Sequence, residues 1–223
     1  MNIKYLYLWV FLILAGKASF SQQQDAVLWA GLNLEKKITR QLEVSATMQS
    51  GFNQNWQELR FAYAGAGISW RWSPNWTTTL RYRFSQVRNL ENFYDDRQVV
   101  MADLSYAKSW NAWTASFRTR YQQQFYGLHL DQDENYKNNK HIIRNRVSLR
   151  YRINTANSLL LAQEQYYRMD LVDATIAWRT GLGFTHKFDL HHKLDAGFNF
   201  IREVNSQSPD IQYVTSFTYT YQF

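Results

Sequence analysis

Cysteine is absent from all 223 residues, so neither a disulfide nor a thiolate metal site can contribute to this fold. Proline occurs only twice, leaving long stretches of backbone whose N–H groups can all donate to a sheet. Beyond residue 21 nothing approaches an 18-residue apolar run, which excludes a transmembrane helix there. No Gly-x-Ser-x-Gly motif occurs, and no His, Asp and Glu cluster has metal-ligand spacing. No cofactor is therefore expected. Pro/Ser-rich linkers, low-complexity tracts and composition breaks are missing too, so residues 22–223 read as one domain.

Residues 1–21 read as an export signal. Lys4 precedes an apolar run from Tyr5 to Ala15, and the small residues Ser19 and Ser21 stand at the −3 and −1 positions of a cleavage site. Lys4 and Lys17 account for two of the seven net positive charges, leaving five on the chain from Gln22 onward. Nucleic acid is not the expected partner of this charge. The arginines are spaced two apart rather than gathered in a patch, and no platform of exposed aromatics accompanies them. Aromatics are abundant, with 9 Trp, 15 Tyr and 14 Phe.

Alternation with period two runs through most of the chain. In 143–153, Arg144, Arg146, Ser148, Arg150 and Arg152 share one parity, while Ile143, Val147, Leu149, Tyr151 and Ile153 share the other. Asn145 is the single exception. Successive strand side chains point to opposite faces, so this segment has one cationic and one apolar face. Residues 76–85 set Arg81 and Arg83 against Leu80, Tyr82 and Phe84; residues 113–125 set Arg118 and Arg120 against Phe117 and Tyr121. Similar patterns occupy 42–52 and 211–223. Weaker strands fall at about 26–38, 57–72, 97–110, 158–169, 173–188 and 192–204. The facing of 61–69, and that of Glu164 and Tyr166, is left open by the pattern.

Eleven segments result, of about 11–15 residues each, long enough to cross a bilayer at a barrel's tilt. Connections alternate between short turns (38–41, 73–75, 111–112, 154–157, 189–192) and longer links (53–56, 88–96, 127–140, 205–210). The expected fold is an all-β, antiparallel up-and-down transmembrane β-barrel of 10–12 strands. Because bacterial single-chain barrels have even strand numbers, twelve is preferred to ten. Arginine facing lipid at mid-depth costs about 2–4 kcal/mol. Hence Arg81, Arg83, Arg118, Arg120, Arg144, Arg146, Arg150 and Arg152 are expected to line the lumen, with Glu43, Asp103 and, its facing permitting, Glu164 as partners. Tryptophans cluster at strand ends, Trp70, Trp72 and Trp76 at one turn and Trp110 and Trp113 at another, as at membrane–water interfaces.

The chain end, Tyr213-Val-Thr-Ser-Phe-Thr-Tyr-Thr-Tyr-Gln-Phe223, resembles the terminal strand of bacterial outer-membrane barrels. With Leu28-Trp29 and the Arg-x-Arg strands, the mature chain resembles domain-of-unknown-function family 2490, an uncharacterised barrel family of Gram-negative bacteria. The resemblance implies an outer-membrane location, outer-membrane lipids as surroundings, and barrel-assembly machinery reading Tyr219, Tyr221 and Phe223. It brings no catalytic residue. Three functions follow as expectations. The first is a structural barrel with a plugged, hydrogen-bonded interior, and the second a narrow anion-favouring channel. The third is a lipid-modifying enzyme, disfavoured because His141 and Ser148, an odd number apart, point to opposite faces. His129 flanks the longest loop, where Asp131, Asp133 and Glu134 read as solvated charge; His186, His191 and His192 surround a turn.

Overall fold

Each alternating run becomes a strand because its two faces meet different surroundings, and a one-residue slip would exchange them. The computed structural model describes residues 24–89, 92–126, 139–169, 175–205 and 210–223. The expected signal (1–21), His129 and the acidic loop residues Asp131, Asp133 and Glu134 lie outside them. Eleven strands follow in order: β1 (Gln24–Lys37), β2 (Leu42–Asn53), β3 (Glu58–Arg71), β4 (Trp76–Arg88), β5 (Tyr94–Trp110), β6 (Trp113–Tyr126), β7 (Lys140–Arg152), β8 (Asn157–Arg168), β9 (Thr175–Lys187), β10 (His192–Glu203) and β11 (Ile211–Gln222). Every sequence neighbour pairs antiparallel, and β1 meets β11 to close the barrel.

The strand number corrects the preference for an even count. All eleven segments are real, and the described residues of 157–187 hold just β8 and β9. With an odd number the first and last strands run the same way. Closure is therefore a parallel pairing, from Gln24 opposite Ile211 to Glu35 opposite Gln222. Gln222 Nε2 donates to Glu35 Oε2 at 2.7 Å, and the Phe223 N–H donates to the Glu35 carbonyl at 2.9 Å. These bonds pin the end of β11 to the rim that carries the short turns.

Four of those turns share one construction. An apolar residue (Ile38, Trp72, Ile153 or Phe188) is followed by Thr39, Ser73, Asn154 or Asp189. The side-chain oxygen then accepts the N–H groups two and three residues on, as at Asn154 from Ala156 (3.0 Å) and Asn157 (2.7 Å). Asp189 does the same with His191 and His192, both at 2.7 Å. The His191 N–H, and after it that of His192, hold the Asp189 carboxyl below its ordinary pKa. The preceding apolar residues stay exposed, so this rim projects a ring of greasy side chains.

The exterior is apolar over a broad band. Met48, Leu80, Val147 and Leu182 are each about three-fifths exposed, and Ile68 and Leu161 about half. Asn145, the exception to the alternation, faces outward as well. It accepts a hydrogen bond from Thr119 Oγ1 at 3.0 Å, and beside it Thr180 Oγ1 donates to Gln163 Oε1 at 2.6 Å. Polar groups on this face thus satisfy one another.

The open question over 61–69 resolves toward small residues outside. Ala62, Ala64 and Ala66 share the face of exposed Ile68, while Phe61, Tyr63, Gly65, Gly67 and Ser69 face inward. Gly65 marks a close approach: a Cβ there would lie 2.7 Å from the Tyr82 carbonyl oxygen. In the half of the interior nearer the long links, Val27, Val99, Met101, Ile142 and Val214 are buried and form a small apolar core.

Candidate functional site in the barrel interior

Two carboxylates organise the middle of the interior. Asp103 on β5 is 3% exposed and sits directly opposite Arg120 on β6. Arg120 donates Nε to Asp103 Oδ1 at 2.6 Å and Nη2 to Oδ2 at 2.8 Å, a bidentate fork, and Arg81 from β4 donates to the same Oδ2. Glu164 on β8 is 2% exposed. Its Oε1 accepts from Arg118 Nη2 at 2.6 Å, reaching over β7 to β6, and its Oε2 accepts from Arg144 Nη2 at 2.9 Å. The same Arg144 nitrogen reaches the Tyr166 hydroxyl at 2.9 Å, and its guanidinium lies 4.4 Å from the Tyr166 ring centre. Glu164 and Tyr166, whose facing the sequence left open, therefore both point inward.

Register explains why two acids are needed there. Arg118 stands directly opposite Arg146, and Arg120 opposite Arg144. Like charges directly across a strand pair repel. Asp103 and Glu164 stand beside these pairs and hold three guanidinium groups by ion pairs of 2.9 Å or less, as well as Arg81.

The remainder of the layer is aromatic. The Arg83 guanidinium stacks 4.9 Å from the Tyr63 ring centre, and Tyr63 donates to Gln49 Oε1 at 2.8 Å. Phe61 stacks on Tyr63 with centroids 6.1 Å apart and meets Trp29 edge-on, also at 6.1 Å. Arg179 on β9 completes the circuit. It donates Nε to Asn199 Oδ1 at 2.9 Å, lies 5.0 Å from the Trp29 ring centre, and is 4.0 Å from Glu164. Side chains from every strand from β1 to β10 thus contribute to one layer across the interior. Arg179, Trp29 and Tyr63 were missed from the sequence, although Trp178 against Arg179 is the same outward–inward alternation that marked the other arginines.

The other expected lining residues separate by depth. Arg150 donates Nη1 to Ser158 Oγ at 2.9 Å and to Thr185 Oγ1 at 3.0 Å, nearer the short-turn rim. Arg152 is exposed at the rim itself and reaches the Asn111 carbonyl at 3.1 Å. Arg146 has no hydrogen-bond partner among the described residues. Glu43 corrects an expectation. It faces inward with Lys37 and Ser69 as its register neighbours, yet it joins no ion pair among the described residues.

His141 and Ser148 lie on opposite faces of β7. His141 Nδ1 is 2.7 Å from the Tyr121 hydroxyl outside, and Ser148 is 2.7 Å from Ser116 inside. His186, His191 and His192 bond Asn157, the Gln222 carbonyl and Tyr219 at the short-turn rim. Among the described residues no group of three or more His, Asp or Glu could hold a metal ion.

Below the ionic layer the interior widens into a cavity of about 820 Å³ that reaches the short-turn rim; Arg146, Arg150 and Arg179 are among its lining residues. Its far wall is hollowed by Gly181, Gly183 and Gly197 of β9 and β10, which leave the interior without side chains there.

Solved structures similar to the chain include the outer-membrane expressed OmpT of Vibrio cholerae, at 9% identity and a TM-score of 0.41, covering 78% of this chain and 60% of that one. The beta domain of the Bordetella autotransporter BrkA matches at 9% identity and a TM-score of 0.47, covering 79% of this chain and 82% of its own. This chain thus spans less than two thirds of the first of them. No curated protein matches the sequence. The family described as "Protein of unknown function (DUF2490)" matches residues 26–210, and the chain belongs to it.

Proposed function

We propose that the protein is an integral outer-membrane barrel, exported by its N-terminal signal, whose arginine–carboxylate layer seals the interior so that it does not conduct. The observation that carries the membrane reading is the exterior. A closed belt of exposed Leu, Val, Ile, Met and aromatic side chains far exceeds the few hundred Å² of apolar patch that soluble monomers show. Acyl chains are the surroundings that such a belt fits. The rim tryptophans Trp70, Trp72, Trp76, Trp110 and Trp113 are all exposed where an interface would lie. Tyr219, Tyr221 and Phe223 stand exposed or half-buried on or beside the last strand, in reach of assembly machinery before β1 docks.

The seal is supported by the buried pairs around Asp103 and Glu164 and by the apolar residues above them. The reading is non-enzymatic: Ser148 and His141 cannot meet. The test is conductance of the purified, refolded protein in a planar bilayer. A silent membrane after verified insertion is the expected result. Stepwise, anion-selective openings would replace the sealed barrel by the narrow anion channel, for which the surplus of guanidinium groups over carboxylates would then be the cause.

A further inference from the structure

We propose that the cavity on the short-turn side is a blind binding site for a compact polyanion carrying two or more phosphate groups, a reading that rests on the seal above it. Its chemistry is one-sided. Arg146, Arg150, Arg179, Lys37, Lys187 and Lys193 all line it. The carboxylates among its walls are Asp189 and Asp195. Asp189 is committed to its own turn, and Asp195 accepts from Thr185 at 2.5 Å and lies 3.3 Å from Lys193. Cations concentrated on a concave, low-dielectric wall focus potential toward the hollow.

The arginines are also placed as a receptor would place them. Arg150 is held through one nitrogen by Ser158 and Thr185, and Thr185 is in turn fixed by Asp195. Its remaining N–H groups are left for a ligand. Arg146 stands directly opposite Glu164 in register, yet Glu164 is taken by Arg118 and Arg144. Arg146 is instead among the residues that line the cavity. Guanidinium forks match phosphate oxygens two at a time, and about 820 Å³ holds a ligand of nucleotide or phosphorylated-disaccharide size. Glycine also lets this wall pack closely: a Cβ at Gly181 would lie 2.6 Å from Asn199 Oδ1, and one at Gly197 would lie 2.8 Å from Ser216 Oγ.

The surplus charge gives the test its edge. An arginine retained for structure should cost stability when lost, whereas Arg146, opposite Arg118 on one side and the already occupied Glu164 on the other, forms no hydrogen bond or close ion pair among the described residues. Full-length protein in uncharged maltoside micelles is titrated with tripolyphosphate by calorimetry, alongside R146Q and the exterior control K108Q. Saturable, salt-sensitive binding is expected, weakened about tenfold in R146Q, the scale of one charge-assisted contact, and unchanged in K108Q. The urea midpoint of R146Q should equal or exceed that of the wild type. Absence of binding at millimolar tripolyphosphate overturns the proposal, and so does binding that R146Q leaves intact. If R146Q fails to fold, G183F, which fills the hollow without removing a charge, must abolish binding in its place. Cardiolipin doped into the micelles separates the sources: competition assigns the phosphates to a lipid headgroup, and its absence to a soluble anion. A conducting barrel that still binds would sink the seal while sparing the site.

Discussion

Taking one carboxylate out of the ionic layer leaves more than a missing contact. Glu164 is the acceptor for Arg118 and Arg144, both largely buried, and among the described residues no other acid is within ion-pair distance of either. Breaking a buried pair strands its partner's charge, at a cost of about 3–5 kcal/mol. E164Q keeps the shape and the hydrogen-bonding oxygen but not the charge, so its loss should fall near the lower figure. E43Q, whose parent makes no ion pair among the described residues, should change stability by no more than about 0.5 kcal/mol. Urea unfolding in lipid vesicles, followed by the heat-modifiable gel shift, measures both. Equal midpoints for E164Q and wild type would dismiss the layer as the interior's organiser. At this scale the sequence was half legible. Alternation put the eight arginines on one parity, which is all that a period-two pattern carries. It could not give their partners. Arg118 reaches Glu164 across an intervening strand, and such diagonal contacts depend on register, which a period-two pattern does not encode. Glu43 and Asp103 looked equivalent for the same reason, until their neighbours around the wall were known.

Between residue and barrel, small side chains decide which neighbours fit. Gly51 on β2 lies between Trp29 on β1 and Phe61 on β3, and a Cβ there would fall 2.1 Å from the Phe61 ring. The glycine is therefore what lets the aromatic bracket close over β2. G51A should destabilise by about 1–3 kcal/mol through overpacking. F61L in the same chain should recover most of that loss, since the clash is with a ring and not with backbone. Unfolding midpoints of the two singles and the double settle it; a double mutant no better than G51A would place the strain elsewhere. Strand bounds and short turns were legible here, because Thr39, Ser73, Asn154 and Asp189 announce them chemically. The closure was not. Parallel pairing of β1 with β11 joins residues from the two ends of the chain, and no local signal carries that information.

At the scale of the whole molecule, the belt makes a prediction that depends on depth. Val147 lies on the outward face of β7 near the middle of the apolar band, and Ile153 follows the last residue of β7 in the short turn. Both are at least half exposed, at 59% and 50%, so an arginine at either would meet no packing obstacle. In water the two substitutions should be nearly equivalent and close to neutral. In a bilayer they differ. Arginine at the midplane costs about 2–4 kcal/mol and near the interface about 0–1, because only there can the guanidinium reach water and headgroups. V147R should thus lose several times more stability than I153R when both unfold from vesicles. In maltoside micelles, whose apolar layer deforms more readily, the gap should narrow. A V147R protein as stable as wild type in vesicles would mean that acyl chains do not surround β7. The outward Asn145 sharpens the point: it is tolerated two residues from Val147 because Thr119 supplies its hydrogen bond. An unpaired guanidinium at Val147 has no such partner, and the difference between the two positions is the cost of facing lipid unsatisfied.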